Sequence, residues 1–81
     1  MQKRVGTLSI FLGSKEEIAK VNQLLSEYSH IVCARLGMPY REKNISVIML
    51  VIDGTTDDIG ALTGKLGNIE GIQVKAILAK N

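Results

Sequence analysis

The 81-residue sequence predicts an α+β protein of the ferredoxin-like type. This is a βαββαβ two-layer sandwich, with two helices on one face of a four-stranded antiparallel sheet. Three observations predict it. Stretches of period-two alternation and stretches of helical periodicity follow in the order strand, helix, strand, strand, helix, strand. The order divides into two similar halves, each with its own helix. One strand, "ISVIMLVID", is apolar almost throughout, as a central strand must be, and another runs toward the only proline, as an edge strand can.

Residues 4–12, "RVGTLSIFL", alternate. Leu8, Ile10 and Leu12 point one way; Val5, Thr7, Ser9 and Phe11 point the other. Gly13 ends the strand. Ser14 and Glu17 have the spacing of a capping box, in which each side chain satisfies a free amide of the first turn. Ile18, Val21, Leu24, Leu25 and Tyr28 then form one apolar stripe, which predicts a helix over 15–28. Residues 30–36 read as a second strand, with His30, Val32, Ala34 and Leu36 on one face and Ile31, Cys33 and Arg35 on the other. Pro39 cannot donate a ladder hydrogen bond, so this strand is expected to end near it and to lie at a sheet edge.

"YREKN" is a polar turn, and residues 45–53 form the third strand. Asp53-Gly54 turns the chain, Thr55 or Thr56 caps the second helix, and Asp57 and Asp58 suit its positive N-terminus. Ile59, Leu62, Leu66 and Ile69 make its stripe, with Gly67 as the stop. "IQVKAILAK" is the fourth strand. The expected sheet order, 4-1-3-2, puts the apolar strand in the centre. It leaves one sheet face open, showing Val5, Phe11, Ile31, Val47, Met49 and Val51 among others. Such a patch exceeds the few hundred Å2 a monomer usually exposes. Chains this short also have a thin stability margin, often made up by association. The expected state is therefore a homo-oligomer, dimer or tetramer.

The charge balance narrows the partners. A net charge of +2 with scattered basic residues, one Phe, two Tyr and no Trp speaks against direct nucleic-acid binding. No apolar run approaches the ~20 residues needed to span a bilayer. A lone cysteine and no signal-like leader predict a cytoplasmic location. The sequence specifies no cofactor.

The segment "HIVCARLGMPY", residues 30–40, gathers the only histidine, cysteine and proline. His30 and Cys33 are metal-binding residue types. Three apart on a regular strand, they point to opposite faces and lie roughly 10 Å apart, so one ion would need a bulge or a second subunit. As a nucleophile, Cys33 would need a base or cation; Arg35 is two residues away, but no acidic orienting partner is visible. The chain is accordingly read as no enzyme. "GALTGKLG", residues 60–67, lacks the spacing of a phosphate-binding loop. Gly60 and Gly64 lie one helical turn apart and cost ~1 kcal/mol each against alanine, so the other helix or another subunit is expected to approach them. Gly13 and Ser14, at the strand-to-helix corner, present backbone N–H groups suited to a carboxylate or other anion.

"SHIVCARLGMPYREKNISVIMLVIDGTTDDIGALTGKLGNIEGIQVKA" closely resembles the small ACT-like family of iron-only hydrogenase system regulators. The likeness runs through essentially the whole chain. Its most specific pieces are His30-Ile31-Val32, Arg35-Leu36-Gly37-Met38-Pro39 and the 60–67 segment. More distantly, the family is similar to the C-terminal, ligand-sensing domain of the nickel-responsive repressor. The resemblance implies a single ACT-like regulatory domain over 1–81 that oligomerises. Leu12-Gly13-Ser14 lacks the proline of the Pro-Gly pair that many amino-acid-binding ACT domains carry, and His30 and Cys33 stand alone where the nickel sensor uses several histidines. The expected function is a non-enzymatic, transcriptional type of regulator sensing a small ligand at an oligomer interface, with Gly13, Ser14, His30, Cys33 and Arg35 as ligand-binding candidates. The alternatives are a transition-metal sensor using His30 and Cys33, or a pure protein-interaction module.

Overall fold

A computed structural model describes residues 2–80. The chain runs β1 (Lys3–Leu12), α1 (Lys15–Glu27), a 3-10 turn (Ser29–Ile31), β2 (Val32–Tyr40), a second 3-10 turn (Arg41–Lys43), β3 (Ile45–Thr55), α2 (Thr56–Gly67) and β4 (Gln73–Leu78). The sheet order is β2-β3-β1-β4, with every neighbouring pair antiparallel. This is the predicted ferredoxin-like α+β fold, and the strand order is the predicted one.

Alternation in β1 and β3 builds the core. Leu8 pairs with Leu50, and Ile10 with Ile48. These four, with Leu12 and Ile52, lie under the helices and are almost fully buried. Val21 and Leu25 of α1 and Ile59, Leu62 and Leu66 of α2 close the core from above. Both helices start as their capping residues predict. Ser14 caps α1, and Thr55, rather than Thr56, accepts from the Asp58 amide at 3.1 Å. The polar "YREKN" turn reverses through Asn44, which sits in the left-handed region at φ 59°. Asn tolerates that region better than most residues.

Strand β2 departs from expectation at its start. Residues 29–31 form a 3-10 turn, so His30 precedes the strand instead of opening it, and Ile31 is buried in the core rather than exposed on the open face. The strand runs past Leu36 and through Pro39 to Tyr40, which pairs with Ile45, so it ends near the proline as expected. An edge strand permits this, because a residue without an N–H can face the side that has no partner.

Between Val32 and Ala34 the register shifts. Val32 opposes Ile52 while Ala34 opposes Val51, leaving Cys33 as an inserted residue. A bulge of this kind inverts the facing of everything that follows. Arg35 therefore lies opposite core-facing Leu50, on the helix side of the sheet, and not on the open face where unbroken alternation puts it. Ala34, Leu36, Met38 and Tyr40 take the open face, opposite Val51, Met49, Val47 and Ile45.

The glycines of α2 are not approached by the other helix, one of the two neighbours expected there. No atom outside α2's own nearby backbone comes within 4 Å of where a Cβ at Gly60 or Gly64 would stand, so α1 does not approach them. Gly54 is the reverse case: a Cβ there would come within 2.6 Å of the buried Ile31 side chain. Gly54→Ala should destabilise the protein by about 1–3 kcal/mol, the usual range for overpacking. Urea denaturation measures it, and an unchanged midpoint would contradict the close packing of the 3-10 turn on β3.

Candidate functional site

The sequence candidates fall into two groups at opposite ends of the sheet. Gly13 and Ser14 follow Leu12, which opposes Ser46; Val32, just after His30, opposes Ile52. Those two positions of β3 are roughly 20 Å apart at strand spacing. One chain does not bring Gly13 and Ser14 together with His30 and Cys33.

At the first end, the amides of Gly13 and Ser14 both donate to Glu17 Oε1, at 2.8 and 3.4 Å, and the Glu17 amide donates to Ser14 Oγ at 3.1 Å. This is the predicted capping box, and its carboxylate already occupies the amides that could receive an anion. Gly71, at φ 88°, packs directly against the same carboxylate, and any Cβ there would collide with it. The Gly13 amide chiefly, with Ser14 and Lys20 contributing, holds the Glu17 carboxyl below its ordinary value of 4.5.

At the second end, His30 Nε2 lies 3.3 Å from Asp58 Oδ2, near the start of α2. The His30 ring stacks on Tyr28, with centroids 6.2 Å apart and planes 24° off parallel. On Tyr28 also lies the Lys65 ammonium, 5.1 Å from the ring centroid. Its contact with Tyr28 is the main reason that Lys65 holds its proton more tightly than a free lysine. These four side chains tie the end of α1 and the turn after it to both ends of α2. By sequence alone Tyr28 belongs to the core stripe of α1 and Asp58 to the start of α2, and nothing singles out Lys65. Only the adjacency of the two helices, which the βαββαβ topology requires, pointed to their meeting.

Cys33 is exposed and, among the described residues, no hydrogen bond or ion pair joins it to His30 or Arg35. The Arg35 guanidinium donates to Asn22 Oδ1 of α1 at 2.5 Å. No acidic side chain forms an ion pair with it among the described residues. No group of three or more His, Cys, Asp or Glu side chains converges as a metal cage among the described residues. The single-chain geometry thus offers at most the His30–Asp58 pair.

The larger feature is the open sheet face. Leu36, Met38 and Tyr40 on β2 and Ile45, Met49 and Val51 on β3 are 37–64% exposed. Val47 lies between them, half-buried. On the β1–β4 side the face is mixed: Ser9 pairs with Lys75 and Phe11 with Gln73, while Val5, Phe11 and Ile77 are exposed beside them. A shallow depression of about 250 Å3 opens on the apolar side, lined chiefly by Thr7, Ala34, Leu36, Met49 and Val51. No helix among the described residues is long and apolar enough to cross a membrane.

A ferredoxin-like domain with an uncovered apolar sheet face is a class found in many proteins, and fold likeness alone reflects that breadth. A homoserine dehydrogenase from Thiobacillus denitrificans superposes with a TM-score of 0.67 at 15% identity, over 98% of this chain and 18% of that one. A formyltetrahydrofolate deformylase from Pseudomonas putida KT2440 does so with 0.66 at 15%, over 94% and 29%. These share the fold alone. Much nearer is protein TM1266 from Thermotoga maritima, with a TM-score of 0.95 and 40% identity over 98% of this chain and 100% of that one. Residues 4–76 match the family described as "TM1266-like: Iron-only hydrogenase system regulator, putative". The chain belongs to this TM1266-like family. No curated protein sequence matches it.

The corner at Glu17 yields a pH test. A carboxyl whose folded pKa is depressed stabilises fully above its unfolded pKa and loses that contribution as pH falls through the folded value. Glu17→Gln should therefore be less stable than the parent at neutral pH, and the gap should close as pH drops below 4.5. A urea series across that range measures it; a gap independent of pH would show that the carboxylate charge is not what stabilises the corner. Ser14→Ala should cost about 1 kcal/mol at neutral pH through loss of the cap, measured in the same way.

Proposed function

We propose that the chain is a non-enzymatic regulatory module of the ACT-like type that associates with copies of itself and takes a small ligand at the interface between them. The observation that carries this reading is the uncovered apolar face formed by β2 and β3. The family's description as a regulator of the iron-only hydrogenase system supports the regulatory part. Of the sequence candidates, His30, Cys33 and Arg35 are the proposed ligand contacts, since the Glu17 carboxylate already takes the Gly13 and Ser14 amides. Among the described residues no hydrogen bond joins these three to one another, which favours a site completed by a neighbour. The arrangement speaks for binding rather than catalysis, since the one histidine bonds Asp58 and not the thiol. The small net charge favours a protein or small-molecule partner over nucleic acid. The proposed location is the cytoplasm, where Cys33 stays reduced.

The His30–Asp58 pair gives a transition-metal reading its one foothold, as two of the ligands that a second copy would complete. A thermal-shift screen of amino acids, nucleotides and divalent metal ions separates the two readings. A true ligand at a hundredfold excess over Kd should add about 2.7 kcal/mol of apparent stability. Arg35→Leu should melt close to the parent, because Arg35 is exposed, yet should respond more weakly to an anionic ligand. A metal role requires bound metal in protein purified without an affinity tag, lost in His30→Ala. No response to any of these classes would leave a pure protein-interaction module.

A further inference from the structure

We propose that a second copy of this chain packs face to face on the β2–β3 half of the open sheet, with the two-fold axis passing beside Met49. The inference rests on the self-association argued above and specifies which surface carries it.

On this half, every position that faces away from the helices is apolar, from Ala34 to Tyr40 on β2 and from Ile45 to Val51 on β3. No charged side chain interrupts it; the first on β3 is Asp53, beyond Val51. The other half mixes the exposed Val5, Phe11 and Ile77 with Thr7, Ser9, Gln73 and the charged Lys75. Depletion of charge with enrichment of Met and Tyr is the composition of an interface core.

The area is of the right size. At on the order of 200 Å2 for a fully exposed large side chain, the six exposed residues of β2 and β3 offer roughly 550 Å2. That is about half of the ~1,200 Å2 total at which specific interfaces begin, so two copies of the face come close to it. An isologous contact uses the same patch twice, so the axis must run through the middle of the patch. The residues around that middle are Leu36, Val47 and Met49. The depression beside Met49 gives the partner's protruding side chains a place to seat, Leu36 being the most exposed of the β2–β3 patch at 64%.

Extension of the sheet through the β2 edge is the competing arrangement. The insertion at Cys33 breaks the hydrogen-bonding row there, and Pro39 lacks a donor, which are devices that blunt an edge. Face packing meets neither obstacle.

The test uses single cysteines in a Cys33→Ser background and a short bis-maleimide. Met49→Cys should give a covalent dimer in most of the protein, and Lys75→Cys should give little. In the otherwise native chain, Leu36→Lys should convert the oligomer to monomer while keeping the circular-dichroism spectrum. An oligomer that links through Lys75→Cys, or one in which Met49→Cys fails to link, overturns the assignment of this face. Light scattering on the unaltered protein distinguishes the deeper failure: a monomer at micromolar concentration sinks the self-association itself.

Discussion

The antiparallel pairing of β1 with β3 is the constraint on which the rest of the molecule depends. It runs from Lys3 opposite Thr55 to Leu12 opposite Ser46 without a slip. A one-residue slip would exchange the two faces of a strand, because side chains alternate with period two. The unbroken register therefore does two things at once. It stacks Leu8 on Leu50 and Ile10 on Ile48 beneath the helices, and it sends Phe11, Val47, Met49 and Val51 to the opposite face. The core and the open apolar surface are two consequences of one ladder.

Polar contacts finish what the ladder starts, and they gather at the two ends of the sheet. At one end Glu17 satisfies the strand-to-helix corner and packs against Gly71 ahead of β4. At the other, the chain Lys65, Tyr28, His30 and Asp58 joins the helices across the turn that leads into β2. These are exposed contacts of modest individual strength. Their role is positional: they set how each helix enters and leaves, while the apolar core supplies the stability.

The chain belongs to a family described as regulators, and the proposed association would use the β2–β3 surface. The ferredoxin-like fold puts both helices on one face of the sheet and leaves the other uncovered among the described residues. The enzymes that share the fold at 15% identity show how widely the same scaffold is reused, and fold by itself names no activity.

Local chemistry made most of this legible in the sequence. The capping box Ser14–Glu17 is a three-residue relation, and the alternation of β1 and the apolar run of β3 are short-range patterns, so the element order, the sheet order and nearly all of the core follow from them. What the tertiary structure alone decided lies on β2. Where an edge strand admits an extra residue depends on how it meets its neighbour, and Cys33 carries no local mark of being that residue. The insertion turned Arg35 toward Asn22 of α1 and Leu36 toward the open face, and the 3-10 turn before it buried Ile31 and brought His30 to Asp58, 28 residues away. Period two can be read from a sequence. The point at which it breaks is set by pairing across the sheet, because only there does the ladder lose its register.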